Sequence, residues 1–407
     1  PLLAITSTQP VSRVGHHVAQ VIDRSEMPKD TVKCSFTIPV IKDKEDRWDC
    51  EIKVNTAILE LFRAGGGPAH LNLQTDSKSG YTTQALPDVR KIERVNSQES
   101  LPTMNHKRIA IFVGSHKEWS CHEVEAVDAF CRTRNAIVVC DHTSGYHGAF
   151  RVPFSLVGCQ KSLDRDLFKP DLLIHIGEVS GDYYTNCSSA DEIWRVSPDG
   201  ELRDTFKKLR YVFEMSEHSF FSNYIDGDEV ENSYHKQCLL ALNELRARIP
   251  ELPLSNIWIA SKMAQKFPEK SVVHLGILNS LRSWNFFELP AAIQTASNVG
   301  GFGIDGVLST LFGASLTDSS TKFFAVLGDL AFFYDMNVLG NRHLGDNIRI
   351  LLVNNGKGTE FRQYNHHTSH FKDYADEYIA AAGHFGCQSP ILVKNYVEAL
   401  GFEYLAA

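Results

Sequence analysis

The sequence predicts an α/β protein of three successive doubly wound α/β domains with mainly parallel sheets, the first of them incomplete. Two apolar runs near the C-terminal end carry much of that expectation. One is "FFAVLGDL", which ends on Gly328-Asp329, and the other is "IRILLVNNGKG", which places Asn354-Asn355 at the end of its apolar part. Both are short, apolar and rich in β-branched or aromatic residues, as strands buried on both faces are. The third observation is that such runs alternate with helical patterns along almost the whole chain, which puts helices on both faces of each sheet.

Taken in order, residues 1–6 ("PLLAIT") and 68–73 ("PAHLNL") read as strands. Between them "WDCEIKVNTAILELFRAGGG" reads as a helix that Gly65-Gly66-Gly67 brings to a stop. The polar, proline-containing stretch from about Ser77 to Asn105 reads as a linker. A second unit opens with "KRIAIFVGSH" and continues through "NAIVVCDHTSG", "PDLLIHIGEVSG" and "LRYVFEM". A helix over 231–248 hands over to a third, where "SVVHLGILNS", "AAIQTASN", "KFFAVLGDL", "IRILLVNN" and "SPILVKNY" alternate with helices. The expected domains are therefore 1–88, a linker 89–105, 106–235 and 236–407. "YVEALGFEYLAA" reads as a helix that would precede one more strand.

Composition narrows the function classes. Hydrophobic residues at 43% and charged residues at 22% of a 407-residue chain are ordinary for a globular protein. Forty-one basic against forty-nine acidic side chains, a formal charge of −8, argue against a nucleic-acid surface. No apolar run approaches the ~18–20 residues of a membrane span. "PLLAITSTQP" lacks the basic start of a signal peptide, so a cytoplasmic protein is expected. The nine cysteines are scattered without a C-x-x-C pair, which favours reduced thiols over a disulfide framework or zinc site.

Ligands of open α/β sheets bind beyond the carboxyl ends of strands. An acid and an amide delivered there by neighbouring strands can hold a hard cation through oxygen, and Mg²⁺ shares such oxygens with ligand phosphates. Asp329 with Asn354-Asn355 thus reads as a Mg²⁺-diphosphate site. A competing motif is Gly301-x-Gly303-x-x-Gly306 in "GGFGIDG", which matches the dinucleotide fingerprint between a candidate strand and a helix. On that alternative the chain is an NAD-binding oxidoreductase, and Asp329 is a ribose acceptor. His366, His367 and His370 read as a solvated loop or a segment closing over a cofactor. Ser115, His116, Asp141 and His142 read as turn residues, because the serine lacks a G-x-S-x-G elbow.

Gly328-Asp329-Leu330, followed by Asn354-Asn355, resembles the diphosphate-binding motif of thiamine diphosphate-dependent enzymes. More narrowly, "ASNVGGFGIDGVLSTLFGASL", "VLGDLAFFYDMNVL" and "NSL" at 279–281 resemble the 2-succinyl-5-enolpyruvyl-6-hydroxy-3-cyclohexene-1-carboxylate synthases, carboligases of menaquinone synthesis. "GGGPAHLNL" and "FKPDLLIHIGE" extend the likeness over most of the chain. The resemblance implies thiamine diphosphate and Mg²⁺ as cofactors. It also implies decarboxylation of a 2-oxo acid, with the carbanion-enamine passed to an acceptor, in a homo-oligomer whose sites lie between subunits. Asp329, Asn355 and the Lys357 carbonyl match the metal ligands, with Asn354 or Gly356 as neighbours. Gly301, Phe302, Gly303, Ile304, Gly328, Leu330 and Ala331 match cofactor-binding positions, Ile304 being the apolar prop that bends the cofactor. Gln20, Ser280 and Phe361 match positions at the reacting centre.

Departures from the family point to an altered substrate pocket. Arginines that position acidic substrates correspond to Trp284 and Val299, with Arg282 nearby but out of register, and Glu360 stands where an apolar residue is expected. Losing guanidinium forks removes a bidentate grip on carboxylates. No residue matches the glutamate that activates the cofactor, so this chain alone is expected to be inactive or nearly so. Simple decarboxylation and a non-catalytic, cofactor-binding relative remain as alternatives.

Overall fold

The structure, a computed structural model, describes residues 1–15, 21, 23, 25, 27–75, 88–182, 184, 185, 190–363, 366–379, 389 and 391–407. The chain starts with β1 (Leu2–Thr8), β2 (Cys34–Ile38), α1 (Lys44–Glu60), β3 (Pro68–Gln74) and β4 (Glu93–Asn96). It continues with β5 (Ile109–Val113), α2 (Cys121–Arg134), β6 (Ala136–Cys140), β7 (Arg151–Pro153), α3 (Ser155–Gly158) and β8 (Leu172–Ile176). Next come β9 (Glu192–Val196), β10 (Leu209–Glu214), α4 (Glu217–Tyr224), α5 (Ser233–Ala247) and α6 (Asn256–Met263). The last part holds β11 (Val272–Leu275), α7 (Asn279–Trp284), β12 (Gln294–Ala296), α8 (Val307–Ser315), β13 (Phe323–Gly328), α9 (Asp329–Asp335), β14 (Ile348–Val353) and α10 (Leu392–Ala399).

Two compact units result, Pro1–Asn105 with Asp191–Phe220, and His106–Ala190 with Phe221–Ala407. In the first, β3 pairs in parallel with β1 and with β2, in register from Leu2 opposite Pro68 to Thr8 opposite Gln74. Period-2 alternation gives this sheet two chemistries. Leu3, Phe36, Ile38, Ala69 and Leu71 pack against Ala57 and Leu61 at the end of α1. The other face carries Thr6, Ser35, His70 and Asn72, with the His70 ring 2.8 Å from both the Thr6 and Ser35 hydroxyls. Asp43 starts α1 by accepting from the backbone N–H groups of Glu45 and Asp46 at 2.8 and 2.9 Å. In the same unit β10 pairs in parallel with β4 and β9.

The second unit holds two parallel sheets, one ordered β8-β5-β6-β7 and the other β12-β11-β13-β14. In the latter, β13 is covered on both faces, and that explains its continuous apolar run. Phe323, Ala325 and Leu327 of β13 pack against Val307, Leu308 and Leu311 of α8, Phe332 of α9 and Val393 and Val397 of α10. On the opposite face Val326 joins Val273, Leu275, Ala260 of α6, and Leu281 and Trp284 of α7. Burying a side chain such as Phe332, 1% exposed, contributes ~2–3 kcal/mol. The doubly wound α/β class expected from the sequence is the one observed.

Three local readings are corrected. "SPILVKNY" does not extend the sheet: Leu392–Ala399 is helical, and its buried residues Val393 and Val397 stand one helical turn apart. The stretch read as a linker contains β4, which pairs with β10. β2, β7 and β9 were missed: β7 is three residues long with a proline, and β9 ("EIWRV") carries charges although Arg195 is buried.

Candidate functional site

Four segments that bear the sequence-predicted residues leave the same edge of one sheet. Asn279 and Ser280 follow β11, Gly301–Gly306 follow β12, Asp329 follows β13, and Asn354-Asn355 follow β14. In the order β12-β11-β13-β14 the chain moves from β11 to β12 on one side, then crosses back to β13 on the other. The winding therefore reverses between β11 and β13, the place where an open parallel sheet forms a ligand crevice.

Asp329 is 1% exposed and begins α9. One carboxylate oxygen accepts from the Leu330 N–H at 2.8 Å, and the other accepts from the Gly356 N–H. With Gly328 opposite Val353 in the ladder, the acid ties the end of β13 to the loop after β14. Gly356 has φ +84°, which a side chain would strain. Asn354 and Asn355 are exposed at the same edge. The Lys357 N–H points at the Asn355 side-chain oxygen at 3.4 Å, and its ammonium lies 3.3 Å from Asp376. Ala331 is buried in the core under this corner.

The Gly301–Gly306 loop is held by shape. Phe302 has φ +52° and Gly306, the residue before α8, φ +89°. Ile304 packs against both core clusters of the sheet. The Phe302 ring lies over Gly181, where an added Cβ would stand 2.7 Å from Phe302 Cε1. β11 stands between β12 and β13. A ribose-binding acid after β13 would thus be two strands, about 10 Å, from the glycine loop rather than on the adjacent strand.

Beyond β11, Leu278 adopts φ +69° and turns the chain into α7, whose residues Ser280 to Trp284 are buried. The Asn279 amide lies 2.8 Å from Thr359 Oγ1 and 2.6 Å from Gln363 Nε2. Arg282 Nη1 donates to both oxygens of Glu360 at 2.8 Å, and Arg282 Nε donates to the Gly181 carbonyl at 3.1 Å. The structure therefore brings Asn279–Arg282 and Thr359–Gln363 together, a contact between residues 78 positions apart. Trp284 is 1% exposed and packs with Phe267 at 5.4 Å in the core. Val299 packs against the same cluster. Phe361 is half-buried, edge-on to His366 at 5.3 Å. Gln20 lies outside the described residues.

Beside α7 is a buried acid network that the sequence reading missed in part. Asp182, after β8, accepts from Asn285 Nδ2 at 2.7 Å and Thr185 Oγ1 at 3.0 Å. Asp141, after β6, accepts from the Thr143 N–H at 2.7 Å and hydroxyl at 2.6 Å, and from the Ser180 hydroxyl. Burial, and then the neighbouring Asp182 charge, push Asp141 up to about 6. Burial also raises Asp182. Burial, reinforced by Arg151, holds His142 down at about 4, and its Nε2 faces the Trp284 and Phe287 carbonyls at 3.1 and 2.9 Å. The clue in the sequence was "EVSGD", an acid just past a strand's carboxyl end. Among the described residues no group of three or more His, Cys, Asp or Glu is placed to hold a metal, and no helix is long and apolar enough to cross a membrane.

These features define a doubly wound, parallel α/β protein with an acid and amides converging at a switch-point crevice. No family model matches the chain. It is similar to proteins named 2-succinyl-5-enolpyruvyl-6-hydroxy-3-cyclohexene-1-carboxylate synthase. The one from Bacteroides fragilis is 29% identical over 388 residues, covering 88% of this chain and 67% of the relative. The one from Phocaeicola vulgatus is 28% identical over 428 aligned positions, covering 100% of this chain and 74% of the relative. A more distant one, from Desulfotalea psychrophila, is 24% identical over 427 positions, covering 99% and 76%. The chain thus spans about two thirds to three quarters of the length of these relatives, and the resemblance expected from its motifs extends along 88% to 100% of it.

Proposed function

We propose that this chain binds thiamine diphosphate through Mg²⁺ and serves decarboxylation of a 2-oxo acid with carboligation to an acceptor, in a substrate pocket that differs from that of the named synthases. The observation that carries the reading is the Asp329 carboxylate at the switch point, hydrogen-bonded to the loop after the neighbouring strand. The donors fit the metal: a carboxylate from Asp329, an amide oxygen from Asn355 and the Lys357 carbonyl are the hard oxygens that Mg²⁺ takes. Their edge is also where a parallel sheet receives phosphate ligands.

Bound thiamine diphosphate supplies the electron sink that decarboxylation of a 2-oxo acid requires. The chain's residues bind and orient it. Asp329 fixes the metal corner, because its burial and two backbone donors leave its carboxylate one orientation. Gly328, Leu330 and Ala331 carry that acid from strand to helix. Ile304, lodged against both core clusters, presents a fixed apolar support from the Gly301–Gly303 loop, and the unusual backbone at Phe302 aims that residue's carbonyl. Ser280 and Phe361, on the segments that Asn279 and Gln363 join, are assigned to the reacting centre, as is Gln20. The proposed division is a pyrimidine-binding part to residue 88, a central domain over 106–235 and a diphosphate-binding domain over 236–407, working as a homo-oligomer.

Equilibrium titration of the chain with thiamine diphosphate plus Mg²⁺, and separately with NAD, tests this reading. Saturable binding of the first alone supports it. Binding of NAD with indifference to thiamine diphosphate would replace it with the dinucleotide-binding alternative.

A further inference from the structure

The segments after β11 and β14 reach each other across the end of β13. Sheet order places β13 between the two strands, so contacts joining Asn279–Arg282 to Thr359–Gln363 span the strand that ends in Asp329. The strongest of these contacts is an ion pair. Arg282 is 7% exposed, and Nη1 meets both oxygens of Glu360 at 2.8 Å. Gln363 Nε2 adds a third hydrogen bond to Glu360 at 3.0 Å. Arg282 is further fixed by the Gly181 carbonyl at 3.1 Å. A guanidinium in this setting is built to hold a carboxylate, and here the carboxylate comes from the chain itself.

We propose that Glu360 is a specificity-determining residue: it occupies Arg282 as an internal counter-ion, so the crevice takes an acceptor that brings no carboxylate to Arg282, an uncharged carbonyl compound. This rests on the crevice being the reactive site proposed above. A second carboxylate arriving at Arg282 must displace Glu360, leaving that acid with Gln363 and a like charge beside it, whereas a neutral ligand meets no such opposition. The Phe302 ring over Gly181 and Val299 in the adjoining cluster add apolar surface beside the pair.

The test needs no cofactor, so its outcome is independent of the thiamine diphosphate titration. Thermal unfolding is followed in formate and acetate, against chloride at equal ionic strength, for the wild-type chain, Glu360→Ala and Glu360→Ala/Arg282→Met. Truncation at 360 opens a place for a free carboxylate on Arg282. Formate is expected to raise the melting temperature of Glu360→Ala with an apparent affinity at least about tenfold better than for the wild type. The double variant is expected to show no such rise. A second readout uses Glu360→Gln, which keeps the side-chain volume: Arg282 is expected to react with phenylglyoxal, read by peptide mass, several times faster than in the wild type. Equal carboxylate response in wild type and Glu360→Ala, or equal Arg282 reactivity in wild type and Glu360→Gln, would overturn the proposal.

Discussion

Replacing Asp141 by Asn removes a charge that the fold buries at a cost. The carboxyl is 3% exposed, and burial followed by the Asp182 charge raises it from 3.8 to about 6. A shift of about 2 units corresponds to ~3 kcal/mol. The folded-state value lies above the unfolded one, so the native protein binds the proton more tightly. The stability associated with that proton is present below about pH 4 and is lost as pH rises through about 6. Asn carries no charge at any of these pH values. Its oxygen can keep the two bonds from Thr143, and its amide can donate to the Ser180 hydroxyl, which turns to accept. Urea unfolding of both proteins at a series of pH values from 4 to 8 reads the difference directly. Asp141→Asn is expected to match the wild type near pH 4 and to gain up to ~3 kcal/mol by pH 7. A difference that does not change with pH, or a variant less stable at pH 7, would refute the assignment of a buried charge to Asp141.

Three further outcomes follow from the packing. Gly181→Ala places a Cβ 2.7 Å from the Phe302 ring at φ +87°, so chemical denaturation should show a loss of about 2 kcal/mol, and no loss would mean that the ring does not lie there. Asp204→Ala removes the carboxylate that Arg90 meets at 2.6 Å, the Trp48 indole at 2.9 Å and the Leu209 N–H at 2.8 Å. It should cost the first unit about 3 kcal/mol, and a near-neutral result in the same assay would contradict this network. Burial holds His274 on β11 at about 4, so its ring should remain neutral in NMR spectra at pH 5.5, whereas titration near 6.5 would place it in solvent.

The sheet β12-β11-β13-β14 was legible chiefly in β13, both of whose faces are covered. β13 therefore runs as an unbroken apolar segment, β14 ("IRILLV") is interrupted by Arg349 alone, and the residues that follow both fall at one edge. Other strands were harder to see, whether or not they are buried. β2 is a five-residue strand of mixed character, "CSFTI", and β9 breaks its apolar run with Arg195. "SPILVKNY" misled because three adjacent apolar residues suggest a strand, while the spacing of Val393 and Val397 selects a helix. In the site, Asp329 and its meeting with the loop after β14 could be anticipated from strand ends alone. The Arg282–Glu360 pair could not, since 78 residues separate its members and only the sheet order brings their loops together. Asp182 escaped notice for a similar reason, its partner Asn285 being 103 residues away.

Asp329 is the proposed metal-diphosphate ligand on which binding of the cofactor would depend. Calorimetric titration of thiamine diphosphate into the wild-type chain and into Asp329→Ala, each with Mg²⁺ and with chelator, measures that linkage. The proposed site requires wild-type affinity to fall about a hundredfold when Mg²⁺ is removed, in the upper range for coupled ligands, and the variant to bind weakly whether or not Mg²⁺ is present. Thiamine diphosphate bound equally well without Mg²⁺, or by Asp329→Ala as tightly as by the wild type, would contradict it.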